Sequence, residues 1–287
     1  MIVDCHTHVW RPEHLSDAFV AAAIGEAARA KLQTMSPDRH LRALKGTDYA
    51  IVAGWRSRHL DVDVPNDFVA DYCQEHRDRL IGFACADPFE PDAVKELERA
   101  VDRLGLAGVY LAPAYQNFHP LHTDAIPIYE VAQARRLPIL LDVGVAYPGV
   151  ASLKYAAPLL IEELGDRFPD LVIIVGHLGS PWVEQTAILL SRYPSIYAEV
   201  SGLADRPWHF YQALVTCQEH GVLNKLLFGS NGPFSHAERT IEALYQVNLM
   251  AQGTNLPKIP REMLRAIVER DALSALRLAQ PTGARAS

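Results

Sequence analysis

Met1-Ile2-Val3-Asp4-Cys5-His6-Thr7-His8 opens the chain, a short apolar run that ends in two histidines one residue apart. Alternate residues of a strand face the same side, so His6 and His8 can aim both imidazoles at one point. Paired imidazoles suit a metal ion. The carboxyl ends of strands are where a (β/α)8 barrel keeps its chemistry. The reading therefore turns on whether the remaining chain builds such a barrel.

Seven further apolar runs follow Ile2–Cys5: Tyr49–Ala53, Leu80–Cys85, Ala107–Leu111, Pro138–Val143, Leu171–Val175, Ile196–Val200 and Leu226–Phe228. They are almost continuously apolar, as strands buried on both faces are, and amphipathic stretches separate them. Pro91 and the acids after it open one helix that Gly105 closes, and Asp124–Arg136 ends in two arginines suited to a helix carboxyl terminus. Residues 152–168 and 181–193 read as further helices. No Gly-x-Gly-x-x-Gly turn follows the first run, which removes the dinucleotide-binding open sheet. The expectation is an α/β fold, a single (β/α)8 TIM barrel over residues 1–278. Within it, residues 10–36 form an insertion with a helical middle from Asp17 to Leu32, placed to act as a lid or pocket wall. A C-terminal helix spans 260–278, and residues 279–287 form a flexible tail.

The 287 residues are 49% hydrophobic and carry a formal net charge of −7. Such a balance argues against nucleic acid or an anionic membrane as the partner. No apolar stretch reaches the ~20 residues of a membrane span and no leader precedes Asp4, so a cytoplasmic location is expected. The four cysteines have no paired spacing and read as reduced packing residues.

Polar groups gather where the runs end. The first delivers His6 and His8; the second is followed by Trp55, Arg56, Arg58 and His59. The fourth gives Tyr110 and Tyr115, the fifth Asp142, the sixth His177. The seventh offers Glu199, Ser201 and Arg206, and the eighth Asn231. Polar residues that terminate apolar runs are costly unless paired or functional. Arg56, Arg58 and Arg206 can bind a substrate carboxylate bidentately, or serve as ion-pair partners. Trp182, with Trp55 and Trp208, can wall an apolar pocket, and Tyr115 joins these as a substrate-binding candidate.

His-x-His after the first strand, Gly176-His177-Leu178-Gly179 after the sixth and Phe228-Gly229-Ser230-Asn231-Gly232-Pro233 after the eighth resemble the amidohydrolase superfamily. More narrowly they are similar to its second family, the branch of aminocarboxymuconate-semialdehyde decarboxylase and related lactonases and aromatic-acid decarboxylases. The resemblance implies a divalent metal, usually zinc, at the barrel mouth, no organic cofactor, and a homodimer. It places metal ligands at His6 and His8 and a catalytic role at His177.

Two positions depart from that pattern. The fifth strand carries Asp142 where a ligand histidine is usual, and the eighth carries Asn231 where an aspartate is usual. Asp142 can complete a two-histidine, one-carboxylate site, or cap neighbouring amides. Asn231, the other catalytic candidate, is neutral and cannot take a proton as a carboxylate would, and its Ser-Asn-Gly-Pro setting also suits a turn. The favoured expectation is a metal-dependent hydrolase of a small carboxylated lactone, amide or cyclic substrate. The alternatives are a non-oxidative decarboxylase of an aromatic or muconate-type acid, and a ligand-binding homologue that has lost turnover.

Overall fold

The computed structural model describes residues 1–21, 35–145 and 149–281. Eight parallel strands follow one another around a single sheet: Val3–His8, Tyr49–Ala53, Leu80–Cys85, Val109–Leu111, Ile139–Leu141, Ile173–Val175, Ile196–Glu199 and Leu226–Leu227. Each coincides with one of the apolar runs, and they are buried nearly throughout because helices cover the outside. Every neighbour in the sheet pairs in parallel, as successive strand–helix units require.

The first and last strands close the ring beyond the end of the eighth. The Cys5 amide donates to the Phe228 carbonyl at 2.9 Å, Asn231 N to the His6 carbonyl at 2.9 Å, and His8 N to the Gly232 carbonyl at 2.7 Å. Buried Asp4 adds a side-chain clamp across the same seam. Its carboxyl accepts from the Ser230 amide at 2.8 Å and from the Ser230 hydroxyl at 2.5 Å. Burial raises the Asp4 pKa to about 7 against the lowering effect of those bonds.

Several helices are shorter than their sequence patterns. The 181–193 pattern forms Val183–Arg192 and the 124–136 pattern forms Ile126–Ala134. Residues 152–168 are not one helix. Pro158 has no amide to continue a helical ladder, and the segment breaks into two 3-10 turns, Leu153–Tyr155 and Pro158–Ile161, before the helix Glu162–Arg167. The expected C-terminal helix likewise divides into Arg261–Glu269 and Ala272–Ala275. Between them Arg270 is extended (ψ 139°), and the Asp271 carboxylate accepts from the Ser274 amide at 3.1 Å to start the second piece.

Of the insertion at 10–36, residues 17–21 are helical, and the rest of its expected helix lies outside the described residues. So does most of the expected tail. The described arm folds over the barrel mouth: Leu15 bridges to Val62, and the Ser16 hydroxyl donates to the Leu60 carbonyl at 3.1 Å. A two-stranded hairpin, Arg56–Ser57 with Val62–Asp63, stands in the loop after the second strand. Strands of two residues leave too little alternation to be read from sequence. All four cysteines are free and buried. No helix among the described residues is long and apolar enough to cross a membrane.

Candidate metal centre

Both ligand candidates of the first strand point into the barrel mouth, as the period of two demands. The side-chain bonds of each ring set its tautomer. His6 Nδ1 lies 2.8 Å from Glu199 Oε1, and His8 Nδ1 lies 3.2 Å from the Ala53 carbonyl. Both Nδ1 atoms face acceptors and so carry their protons. The two Nε2 atoms are left facing one another at 2.9 Å. Two lone pairs at that distance repel unless a proton or a cation sits between them.

Glu199, at the end of the seventh strand, organises this arrangement. Oε1 accepts from His6 Nδ1, from the His177 amide at 2.6 Å and from the Ser201 hydroxyl at 2.9 Å; Oε2 accepts from the Ser201 amide at 2.6 Å. Four protein donors thus converge on this carboxylate, three of them on Oε1. Gly229 makes room for it: a Cβ there would sit 2.2 Å from Glu199 Oε2. Burial alone would push the Glu199 pKa up, but the charge and hydrogen bond of His6, with His177, draw it down to about 2. The His6 imidazole is also desolvated, which disfavours its cation, yet Glu199 outweighs this and raises its pKa. His8 goes the opposite way: burial and the neighbouring His6 lower it well below the usual histidine value. Glu199 thus favours the charged form of His6, and burial disfavours that of His8.

His177 sits in a left-handed turn, with φ of 53° at His177, 52° at Leu178 and 64° at Gly179. Non-glycine residues pay strain for that conformation, and such strain collects at functional sites. The turn directs the His177 amide at Glu199 and the ring at Asp142. His177 Nδ1 lies 2.7 Å from the Ser201 hydroxyl oxygen, and Nε2 lies 3.5 Å from Asp142 Oδ1. Asp142 Oδ2 accepts from the Tyr110 hydroxyl at 2.9 Å, whereas buried Oδ1 has no hydrogen-bond partner. Tyr110→Phe leaves the whole Asp142 carboxylate without a protein donor. It should cost the metal-free protein about 1–3 kcal/mol, read from the urea midpoint.

His8, Trp55, Tyr110, Tyr115, Asp142, His177, Asn231 and Phe234 line a cavity of about 20 Å³, room for roughly one water. Aromatic rings close it in layers. Trp55 meets Tyr115 edge-on at 5.7 Å and Phe19 at 4.8 Å, and Trp10 backs Phe234 at 5.0 Å. Asn231 reaches the cavity from a left-handed backbone (φ 60°).

The other sequence candidates lie elsewhere. Arg56 is held by Asp63 at 2.7 Å, Glu90 at 3.2 Å and Glu96 at 3.9 Å, and Arg58 bonds the Phe89 carbonyl; both line a separate cleft. Carboxylates of the neighbouring loop and helix hold the Arg56 guanidinium, and a backbone carbonyl holds that of Arg58. Arg206 donates to the Ser180 hydroxyl at 3.3 Å, and neither it nor Trp182 lines the cavity. Tyr115 does line it. Glu199, Ser201 and Tyr110 were visible at the run ends, but nothing in sequence showed that Glu199 would meet a histidine 193 positions away.

The donor set can be tested for a divalent cation. Ligand-type atoms of His6, His177 and Glu199 lie within 4.8 Å of one another among the described residues, and Glu199 also orients His6. Facing the mouth are Nε2 of His6, His8 and His177, and orphaned Asp142 Oδ1. Imidazole nitrogens and a carboxylate oxygen gathered at one mouth are the donor types that a divalent cation takes.

Comparison with known proteins agrees with the fold. Gamma-resorcylate decarboxylase of Polaromonas sp. strain JS666 is 29% identical over 140 residues, which are 40% of this chain and 43% of that protein's length. A 2,6-dihydroxybenzoate decarboxylase crystallised with 2,6-dihydroxybenzoate superposes with a TM-score of 0.72 at 19% identity, covering 96% of this chain and 99% of the other. A dihydroxybenzoic acid decarboxylase from Polaromonas sp. JS666, bound to manganese and 2-nitroresorcinol, gives 0.68 at 18% identity over 96% of each chain. The metal bound to that relative is manganese rather than the expected zinc. The family model described as Amidohydrolase (Amidohydro_2) matches residues 3–278, and the chain belongs to that amidohydrolase family.

Proposed function

We propose that this protein catalyses the non-oxidative decarboxylation of an aromatic carboxylic acid at a divalent-metal centre held by His6, His8 and Asp142. The composition of the cavity carries the reading. Its described walls are Trp55, Tyr110, Tyr115 and Phe234, and no lysine or arginine lines it. Aromatic walls offer stacked and edge-on contacts to a ring. A hydrolase acting on a carboxylated lactone would call for cations there, and the arginines expected to supply them are held elsewhere, Arg56 by carboxylates, Arg58 by the Phe89 carbonyl and Arg206 by the Ser180 hydroxyl. The decarboxylases among its relatives support the same choice over the hydrolysis expected from sequence.

A bound divalent cation would supply positive charge to anchor and polarise the acidic substrate. The chain's own residues do the remainder. Trp55, Tyr115 and Phe234 exclude water and stack the ring, which requires the aromatic cover to part, since about 20 Å³ admits no benzoate. Asn231 offers a neutral amide to the substrate where a carboxylate would repel it. His177 Nε2, beside Asp142 Oδ1, holds the proton that goes to the ring carbon as its bond to the carboxylate carbon breaks and carbon dioxide leaves. Ser201 and Glu199 keep His177 in that orientation. The single proton consumed returns from solvent, so charge and atoms balance.

The test is carbon dioxide release from hydroxybenzoates by manganese- or zinc-supplemented protein, with the product made in heavy water. The expected product carries one deuterium at the carbon that bore the carboxylate. Cleavage of a carboxylated lactone without any carbon dioxide overturns the proposal, as does saturable binding of aromatic acids with no turnover.

A further inference from the structure

The opposite end of the barrel holds a second concavity, a groove of about 1280 Å³. It lies where the seventh and eighth strands begin, remote from His6, His8 and His177. Four cations line it: Arg192, Lys225, Arg265 and Arg270. Two of them are neutralised. Arg192 pairs with Glu162 and Asp166, and Arg265 with Glu269 at 2.9 Å. These are the exposed ones, with side chains 53% and 70% accessible. Lys225 and Arg270 are half-buried, and among the described residues neither has a carboxylate within ion-pair distance. Cost of burial alone would distribute the acids the other way round.

What these two cations do have is backbone and ring. The Lys225 ammonium donates to the Tyr193 and Pro194 carbonyls at 3.2 and 2.5 Å and lies 4.4 Å from the centre of the Tyr197 ring. Arg270 spends Nε on the Leu226 carbonyl at 2.9 Å, leaving both terminal nitrogens of its fork without a protein partner among the described residues. Burial, and then the charge of Arg270, lower the Lys225 pKa to about 8, so the two positive groups feel each other. The acids in the groove do not relieve them: Glu269 is taken by Arg265, Asp271 caps Ser274, and Glu262 is exposed.

We infer that this groove is a binding site for a small organic oxyanion, a carboxylate or phosphate ester, gripped by the free fork of Arg270 beside Lys225. A guanidinium fork matches either group with two parallel bonds. Its volume exceeds that of an inorganic ion and suits a small molecule. Leu190, Val222 and the Tyr197 ring give the ligand's body an apolar wall. The site is independent of the decarboxylase reading, because it shares no residue with the barrel mouth.

Calorimetric titration of the full chain tests it, with phenyl phosphate, benzoate and inorganic phosphate at constant ionic strength. Phenyl phosphate should bind at one site per chain, more tightly than inorganic phosphate. Lys225→Met should weaken it by about tenfold, and Arg270→Lys, which keeps the charge but loses the fork, by a similar factor. Circular dichroism identifies a variant that fails to fold, and the other then decides. Benzoate in place of phenyl phosphate as the tighter ligand would name the carboxylate source. No saturable binding up to about 10 mM overturns the inference, as does an affinity unchanged in the folded variants.

Discussion

Removal of the Glu199 side chain by alanine is expected to destabilise the protein by on the order of 3–5 kcal/mol, the scale of breaking a buried pair from one side. The substitution strips acceptors from His6 Nδ1, the His177 amide, and the Ser201 amide and hydroxyl together, in a place water does not reach. Glu199→Gln, which keeps the shape, should cost less. The two variants differ usefully in their pH dependence from the parent. The Glu199 pKa is lowered from an unfolded value near 4.5 to about 2 in the fold. Its contribution is therefore complete above about pH 4.5 and is lost as the pH falls through about 2. Wild-type protein should lose that stability across this window in urea titrations. Both variants should show a shallower acid limb. A limb of unchanged slope in Glu199→Gln would mean that some other carboxylate governs acid unfolding.

The second large effect is expected at His8. Its side chain has one protein hydrogen bond besides the contact with His6, so alanine there should cost the fold only about 1–2 kcal/mol. Metal affinity should drop by more than about 100-fold, since losing an outer hydrogen-bond partner of a ligand already costs 10–100-fold. Carbon dioxide release should fall in parallel. Metal content after exhaustive dialysis, measured beside turnover, separates the two losses. A His8→Ala protein that retained a full equivalent of metal and normal turnover would remove the first-strand pair from the centre.

How far the molecule could be read in advance follows from which interactions are local. The apolar runs became strands because burial on both faces leaves its mark on consecutive residues, and even the short Leu226–Leu227 strand was visible. His6 and His8 were legible through their spacing, and His177 through its place between a strand and a glycine turn. Asp142 and Tyr115 were correctly placed at the mouth by the strands they follow. Between substrate binding and ion pairing the sequence left Arg56 and Arg58 open, because a guanidinium's partner depends on loop geometry, here Asp63, Glu90 and the Phe89 carbonyl. Glu199 stood in view two residues before Ser201, but its importance lies in donors contributed by three other positions, which no local pattern encodes. The broken helix at Pro158 carried its own warning, outweighed in the reading by a long amphipathic stretch.

The seam between the first and last strands has a further consequence for how the protein is made. Asp4 meets Ser230, and His6 meets Asn231, across 226 and 225 positions respectively. During synthesis the histidines leave the ribosome early, but the turn that braces them arrives only with the last quarter of the sequence. A nascent chain therefore exposes its paired imidazoles well before they have a settled geometry. Capture of a cation should be a late event that reports on completed closure, so that a chain interrupted before Ser230 accumulates without activity.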